Sequence, residues 1–123
     1  QDITGSWKVI SYEDAIAYFN KSKDSISYTD SSRKNEADNF KKMSDLLIFP
    51  ITYVFDDKGN YTMNFPMMDI VKGKYQLDKS NHKLILIDEE GKKDELSYLF
   101  RNELLFIEME MENGFIKLGF KRN

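Results

Sequence analysis

The sequence contains no cysteine. Disulfide cross-links, thiol chemistry and thiolate-held metals are therefore excluded. There is one histidine, His82, in the polar stretch DKSNH, where it reads as a surface turn residue. A serine–histidine–acid arrangement accordingly has no buried base. H-E-x-x-H, the phosphate-binding glycine loop and the dinucleotide glycine pattern are all missing. No run approaches the roughly 18 apolar residues of a spanning helix, so no membrane insertion of the domain is expected. Charge of one sign is scarce too: 18 Lys and Arg stand against 21 Asp and Glu, a net −3. The lysines are dispersed rather than gathered in a block, which disfavours nucleic acid or an anionic membrane surface as partner.

Hydrophobic residues make up 41% of the 123, enough for a real core in one domain spanning 1–123. The second half reads strand after strand: 51–55, 60–65, 73–77, 83–87, 94–100, 104–111 and 115–121. Short polar turns separate these runs, and Asp57 to Gly59 supplies one of them. With GSWKVISY (5–12) in front, the count reaches eight. Alternation is plain in LLFIEMEM, where Ile107, Met109 and Met111 share a face opposite Glu108 and Glu110. Regular spacing and short turns predict an all-β fold, an eight-stranded up-and-down antiparallel barrel whose closure removes sheet edges.

Residues 13–47 break the pattern. EDAIAYFN reads as briefly helical, the serine-rich stretch after it as loop, and NEADNFKKMSDLL as a helix with Asn35 or Asp38 as its cap. Phe40, Met43 and Leu47 fall on one stripe of that helix. A connection this long is commonly functional, typically a lid.

The early Gly-Ser-Trp in ITGSWKVISYE, the hairpin FDDKGNYTM and the closing FIKLGFKR resemble the lipocalin-like (calycin) barrels. The similarity is to the small lipocalin-like domains of exported proteins and lipoproteins of Bacteroidetes. In that family a tryptophan closes one end of the barrel and a basic residue packs over its ring. The resemblance implies that Gly5, Trp7 and Arg122 form such a plug, with Lys121 as the lesser candidate. The family's Thr-Asp-Tyr-like turn before the seventh strand is replaced here by FRNE. The resemblance also implies an exported protein: periplasmic, cell-surface or extracellular. Gln1 in place of an initiator methionine agrees with a removed leader, and with it a possible lipid anchor.

Alternate turns of an up-and-down barrel lie at the same end. The 13–47 connection therefore meets FPMMDIV at the end away from Trp7, where Pro66 stops a strand. Phe40, Met43, Leu47, Met67, Met68 and Ile70 are the expected mouth and lid residues. Tyr53, Phe55, Met63, Tyr75, Tyr98, Phe100, Ile107 and Met109 are the expected cavity wall. Either the lid packs on Met67 and Met68 and completes the core, or these residues line a mouth that admits an apolar or amphipathic ligand. The first case predicts a filled-barrel interaction module with a protein partner, the second a small-molecule binder. A hydrolase or isomerase on this barrel would need an inward polar constellation, and the alternation supplies none. Glu108, Glu110 and Glu112 form an outward row, expected to pair with Lys117 and Lys121 across the strands. No catalytic residue, metal or cofactor is expected.

Overall fold

The computed structural model describes residues 2–123. Ten strands and one α-helix follow in order: β1 (Gly5–Glu13), β2 (Ala17–Asn20), β3 (Ser25–Tyr28), α1 (Lys34–Leu47), β4 (Thr52–Phe55), β5 (Asn60–Asn64), β6 (Val71–Asp78), β7 (Lys83–Asp88), β8 (Lys93–Arg101), β9 (Leu104–Met111) and β10 (Gly114–Arg122). Strands β4 to β10 pair with their sequence neighbours, and β1 pairs with both β4 and β10. Eight antiparallel strands thus close a barrel, with one long, partly helical connection between the first and the second of them.

Aspartates make several of the tight turns. Asp56 Oδ1 accepts from the amides of Lys58 and Asn60, at 2.9 and 2.8 Å. Asp88 Oδ1 accepts from those of Glu90 and Lys92, at 3.0 and 2.9 Å. A carboxylate placed at the first turn position substitutes for a backbone acceptor, which fixes hairpin length and hence register. The β8–β9 turn works differently. Asn102 and Glu103 both have positive φ, 51° and 67°, as a two-residue hairpin turn of matching twist requires.

The 13–47 connection differs from expectation in three respects. AYFN is the strand β2 rather than the end of a helix, and SISY is β3 rather than loop. Asp14 starts the tight turn into β2 by accepting from Ile16 and Ala17 amides, at 2.8 and 3.0 Å. Neither Asn35 nor Asp38 caps α1. Arg33 holds the N-cap position without a side-chain bond to the helix backbone, Asp30 caps the single 3₁₀ turn before it, and Asp38 accepts from the Tyr28 hydroxyl.

A bulge explains how the hairpin fits. Register between β1 and β10 slips between Val9 and Ser11. The extra residue, Ile10, bends β1, and the strand changes neighbour there. Residues 5–8 pair with β4, whereas 11–13 pair with β2. The Ile10 carbonyl accepts from the Lys21 amide at 2.8 Å, so the carbonyl freed by the bulge is satisfied.

The inner face of the hairpin needs a cover, and α1 supplies it. Phe40 lies against Tyr12 and Phe19, with ring centroids 5.1 and 6.1 Å apart. The buried stripe of α1 is Ala37, Phe40 and Ser44, not Phe40, Met43 and Leu47. Met43 and Leu47 flank it at 51% and 49% exposure.

Candidate functional site: an open cup above a plugged base

The two ends of the barrel are built differently. At the base, Trp7 is 1% exposed, and its indole Nε1 donates to the Ile3 carbonyl at 2.7 Å. The Arg122 guanidinium lies over the indole, 4.3 Å from the ring centroid. Its Nη1 donates to the Thr4 carbonyl at 2.7 Å and its Nη2 to the Asp2 carbonyl. Arg122 therefore straps residues 2–4 across the tryptophan. Gly5 is required beneath it: φ is +126°, and a Cβ would stand 2.8 Å from Arg122 Nη1. Lys121 makes no such contact; it lines a surface hollow of about 510 Å³ with Asn102, Glu103, Leu104 and Arg122.

The layer above the plug is filled. Phe100 meets Trp7 at 6.2 Å and Tyr98 at 5.9 Å. Phe55 meets Tyr75 edge to face at 5.0 Å, and the Tyr75 hydroxyl donates to the Asp56 carbonyl at 2.5 Å. Ile107 is buried in the same core. Five of the expected wall residues, Phe55, Tyr75, Tyr98, Phe100 and Ile107, thus belong to packed core rather than to a cavity surface.

The opposite end is hollow. A cup of about 610 Å³ opens between β4–β6 and β7–β9, lined by Tyr53, Met63 and Met109 from the expected set. Ile51, Tyr61, Phe65, Val71, Leu86, Leu96, Met111 and Leu118 complete its apolar surface. The expected lid residues do not cover it. Met67 is fully exposed at the tip of the β5–β6 turn, and Met68 and Ile70 stand in solvent beside it. Only the ends of that turn, Phe65 and Val71, reach the cup. Phe40, Met43 and Leu47 are absent from its lining because α1 is engaged by the hairpin. Phe40 instead borders a smaller hollow of about 200 Å³ shared with Asp14, Ala17 and Glu36.

Polar groups also border the cup, at its exposed rim. Asp88 continues the Leu84–Leu86 face of β7, and Asp94 continues the Leu96–Tyr98 face of β8. Both line the cup, with Lys92, Glu95 and Glu110. Tyr61 reaches toward them across Gly73, where a Cβ would lie 2.8 Å from Tyr61 Cε1 and 2.1 Å from the Ile87 carbonyl oxygen. Burial raises the Tyr61 phenol above its ordinary value, and the charges of Asp88 and Asp94 add to the effect. Tyr53 is raised chiefly by burial, then by Tyr61 and Asp94. On the outer wall, Lys117 stands opposite Glu108 in register, but its ammonium lies over the Phe106 ring at 5.3 Å.

His82 occupies the β6–β7 turn at the base, 6.1 Å from the Tyr98 ring, and takes no part in the cup. Among the described residues no group of three His, Cys, Asp or Glu side chains is placed to hold a metal ion. No helix among them is long and apolar enough to cross a membrane.

No protein-family model matches the chain, and no curated protein matches it. A solved crystal structure does: a DUF4847-family protein from Bacteroides vulgatus ATCC 8482, with a TM-score of 0.61 over 98% of this chain and 93% of that one. Identity is 15%, so the likeness is one of fold: the closed, eight-stranded antiparallel barrel is shared with that Bacteroides protein.

Proposed function

We propose that the protein is an exported, lipocalin-like binding module that holds one small apolar or amphipathic molecule in the cup, and that it acts by binding rather than catalysis. The observation that carries this reading is the contrast between the ends of one barrel: a base where Trp7 is sealed beneath Arg122, and a largely apolar cup of about 610 Å³ at the other end. Ligand pockets fall in this size range and are mostly apolar with a few placed polar groups. Mouths of small barrels are a recurrent place for them. The resemblance of ITGSWKVISYE to exported lipocalin-like domains supports the assignment to that class and compartment.

Titration with a neutral, environment-sensitive apolar dye tests the binding. Saturable one-to-one binding to the native protein is expected. Met109→Asp should weaken it at least about tenfold, because a charge on the wall must be desolvated. Met67→Asp, on the solvent-exposed turn tip, should leave it unchanged. Absence of saturable binding overturns the reading. A second reading, a protein partner docking at the mouth, is favoured by the exposed Met67, Met68 and Ile70. It predicts the reverse sensitivity, with Met67→Asp abolishing capture of the partner.

A further inference from the structure

The geometry points to a cationic amphiphile as the ligand class of the cup: an apolar body carrying an ammonium or guanidinium group. This rests on the reading of the cup as a binding site. Two independent features of the inner surface carry it.

The first is a pair of phenols without work to do. Tyr53 is 9% exposed and Tyr61 4%. Neither hydroxyl has a hydrogen-bond partner among the described residues, although buried polar groups are nearly always paired. No side-chain oxygen among those residues is both sealed from solvent and unpartnered, so the two hydroxyls reach open space: Tyr53 lines the cup, and Tyr61 lines both the cup and a neighbouring hollow that it shares with Asp88, Lys72 and Lys74. They are available to a ligand.

The second feature is the sign of the charge. Asp88, Asp94, Glu95 and Glu110 line the cup against a single ammonium, Lys92. Glu95 has a partner in Lys93 at 3.5 Å. Among the described residues, Asp88 and Asp94 have no cationic partner. A turn accounts for one oxygen of Asp88, which accepts the Glu90 and Lys92 amides. It does not account for the other, nor for Asp94, which stands exposed at the rim in phase with Leu96 and without any such bond. An anionic ligand seated over these carboxylates would meet like charge, and a neutral one would return at most a hydrogen bond for the water it displaces. A ligand with a cationic head and an apolar tail meets both the unpaired carboxylates and the apolar wall.

Isothermal titration calorimetry of the intact protein with decyltrimethylammonium, decyl sulfate and decanol tests this, since the three share one alkyl chain. All are used below micelle formation, with near-ultraviolet circular dichroism confirming that the fold persists. The cation should bind about tenfold more tightly than the alcohol, a modest gain typical of a partly desolvated cation site. The sulfate should bind more weakly than the alcohol. Asp94→Asn, and Asp88→Asn with Asp94→Asn, should reduce the cation's affinity to that of the alcohol and leave the alcohol's own affinity in place. Asparagine keeps the acceptor that the β7–β8 turn uses. If the alcohol binds and the cation binds no better, the cup stands and the cationic class falls. If the preference exists but survives both variants, the assignment to these carboxylates is wrong. If none of the three binds, the cup itself is not a binding site.

Discussion

Trp7 and Arg122 show how unequal two touching residues can be. The indole is enclosed on every side, so its loss leaves a large void, and Trp7→Ala should cost about 3–5 kcal/mol. Arg122 covers the ring from the solvent side. Removing it forfeits a cation–ring contact and two bonds that the Thr4 and Asp2 carbonyls can replace with water. Arg122→Ala should therefore cost about 0.5–2 kcal/mol. Chemical denaturation of both variants checks the ratio, and equal small losses would show the tryptophan to be peripheral. Glu103 makes a prediction of opposite sign. It sits at φ 67°, a conformation that costs an L-residue roughly 1 kcal/mol or more and glycine almost nothing. Glu103→Gly should raise stability by about 0.5–1 kcal/mol after the entropy of a freer unfolded chain is allowed for.

Among the elements, α1 separates two descriptions of one helix. Read from its sequence, Phe40, Met43 and Leu47 form the apolar stripe; in the structure the inward positions are Ala37, Phe40 and Ser44. Phe40→Ala should cost about 2–3 kcal/mol, below the range for a fully buried phenylalanine. Met43→Ser should stay within about 0.5 kcal/mol, as exposed positions do. A large loss at Met43 would restore the first stripe. The displaced stripe has a cause in the hairpin. β2 and β3 are four residues each, too short to display a period of two, and alanines at 15 and 17 suit a helix as well as a strand. What makes AYFN a strand is long-range: the bulge at Ile10 frees the end of β1 to pair with it. Barrel strands β4 to β10 were legible because each is a short run that alternates or, like KLILID, is almost wholly apolar, and ends at a recognisable turn. The rim carboxylates were legible in principle, since Asp88 is in phase with Leu84 and Leu86, and Asp94 with Leu96. The polar run DEEGKK hides Asp88, because a turn accounts for every polar residue inside it, and Asp94 reads as the polar start of the strand that follows.

For the molecule as a whole, the tyrosines set the alkaline limit. Burial raises the phenols of Tyr12, Tyr53, Tyr61, Tyr75 and Tyr98 above the ordinary value of 10.0. The folded state therefore holds these protons more tightly than the unfolded chain does. Their contribution to stability is complete below pH 10.0 and is lost as pH rises through the higher folded values. Thermal midpoints should be flat toward that pH and fall beyond it, and ultraviolet titration should show Tyr53 ionising only as the protein unfolds. Phenolate absorbance from Tyr53 in protein that is still folded would contradict this.

The strap at the base also decides which way the molecule faces. Residues 2–4 lie under Arg122, and the Asn123 amide donates to the Ser6 carbonyl at 2.9 Å, so both ends of the chain leave from the same pole. The cup opens at the other pole. A tether attached at either end holds the barrel like a goblet on its stem, with the mouth turned away from whatever anchors it. Immobilisation through either end should leave dye uptake unchanged, whereas a linkage through the β5–β6 turn should obstruct it.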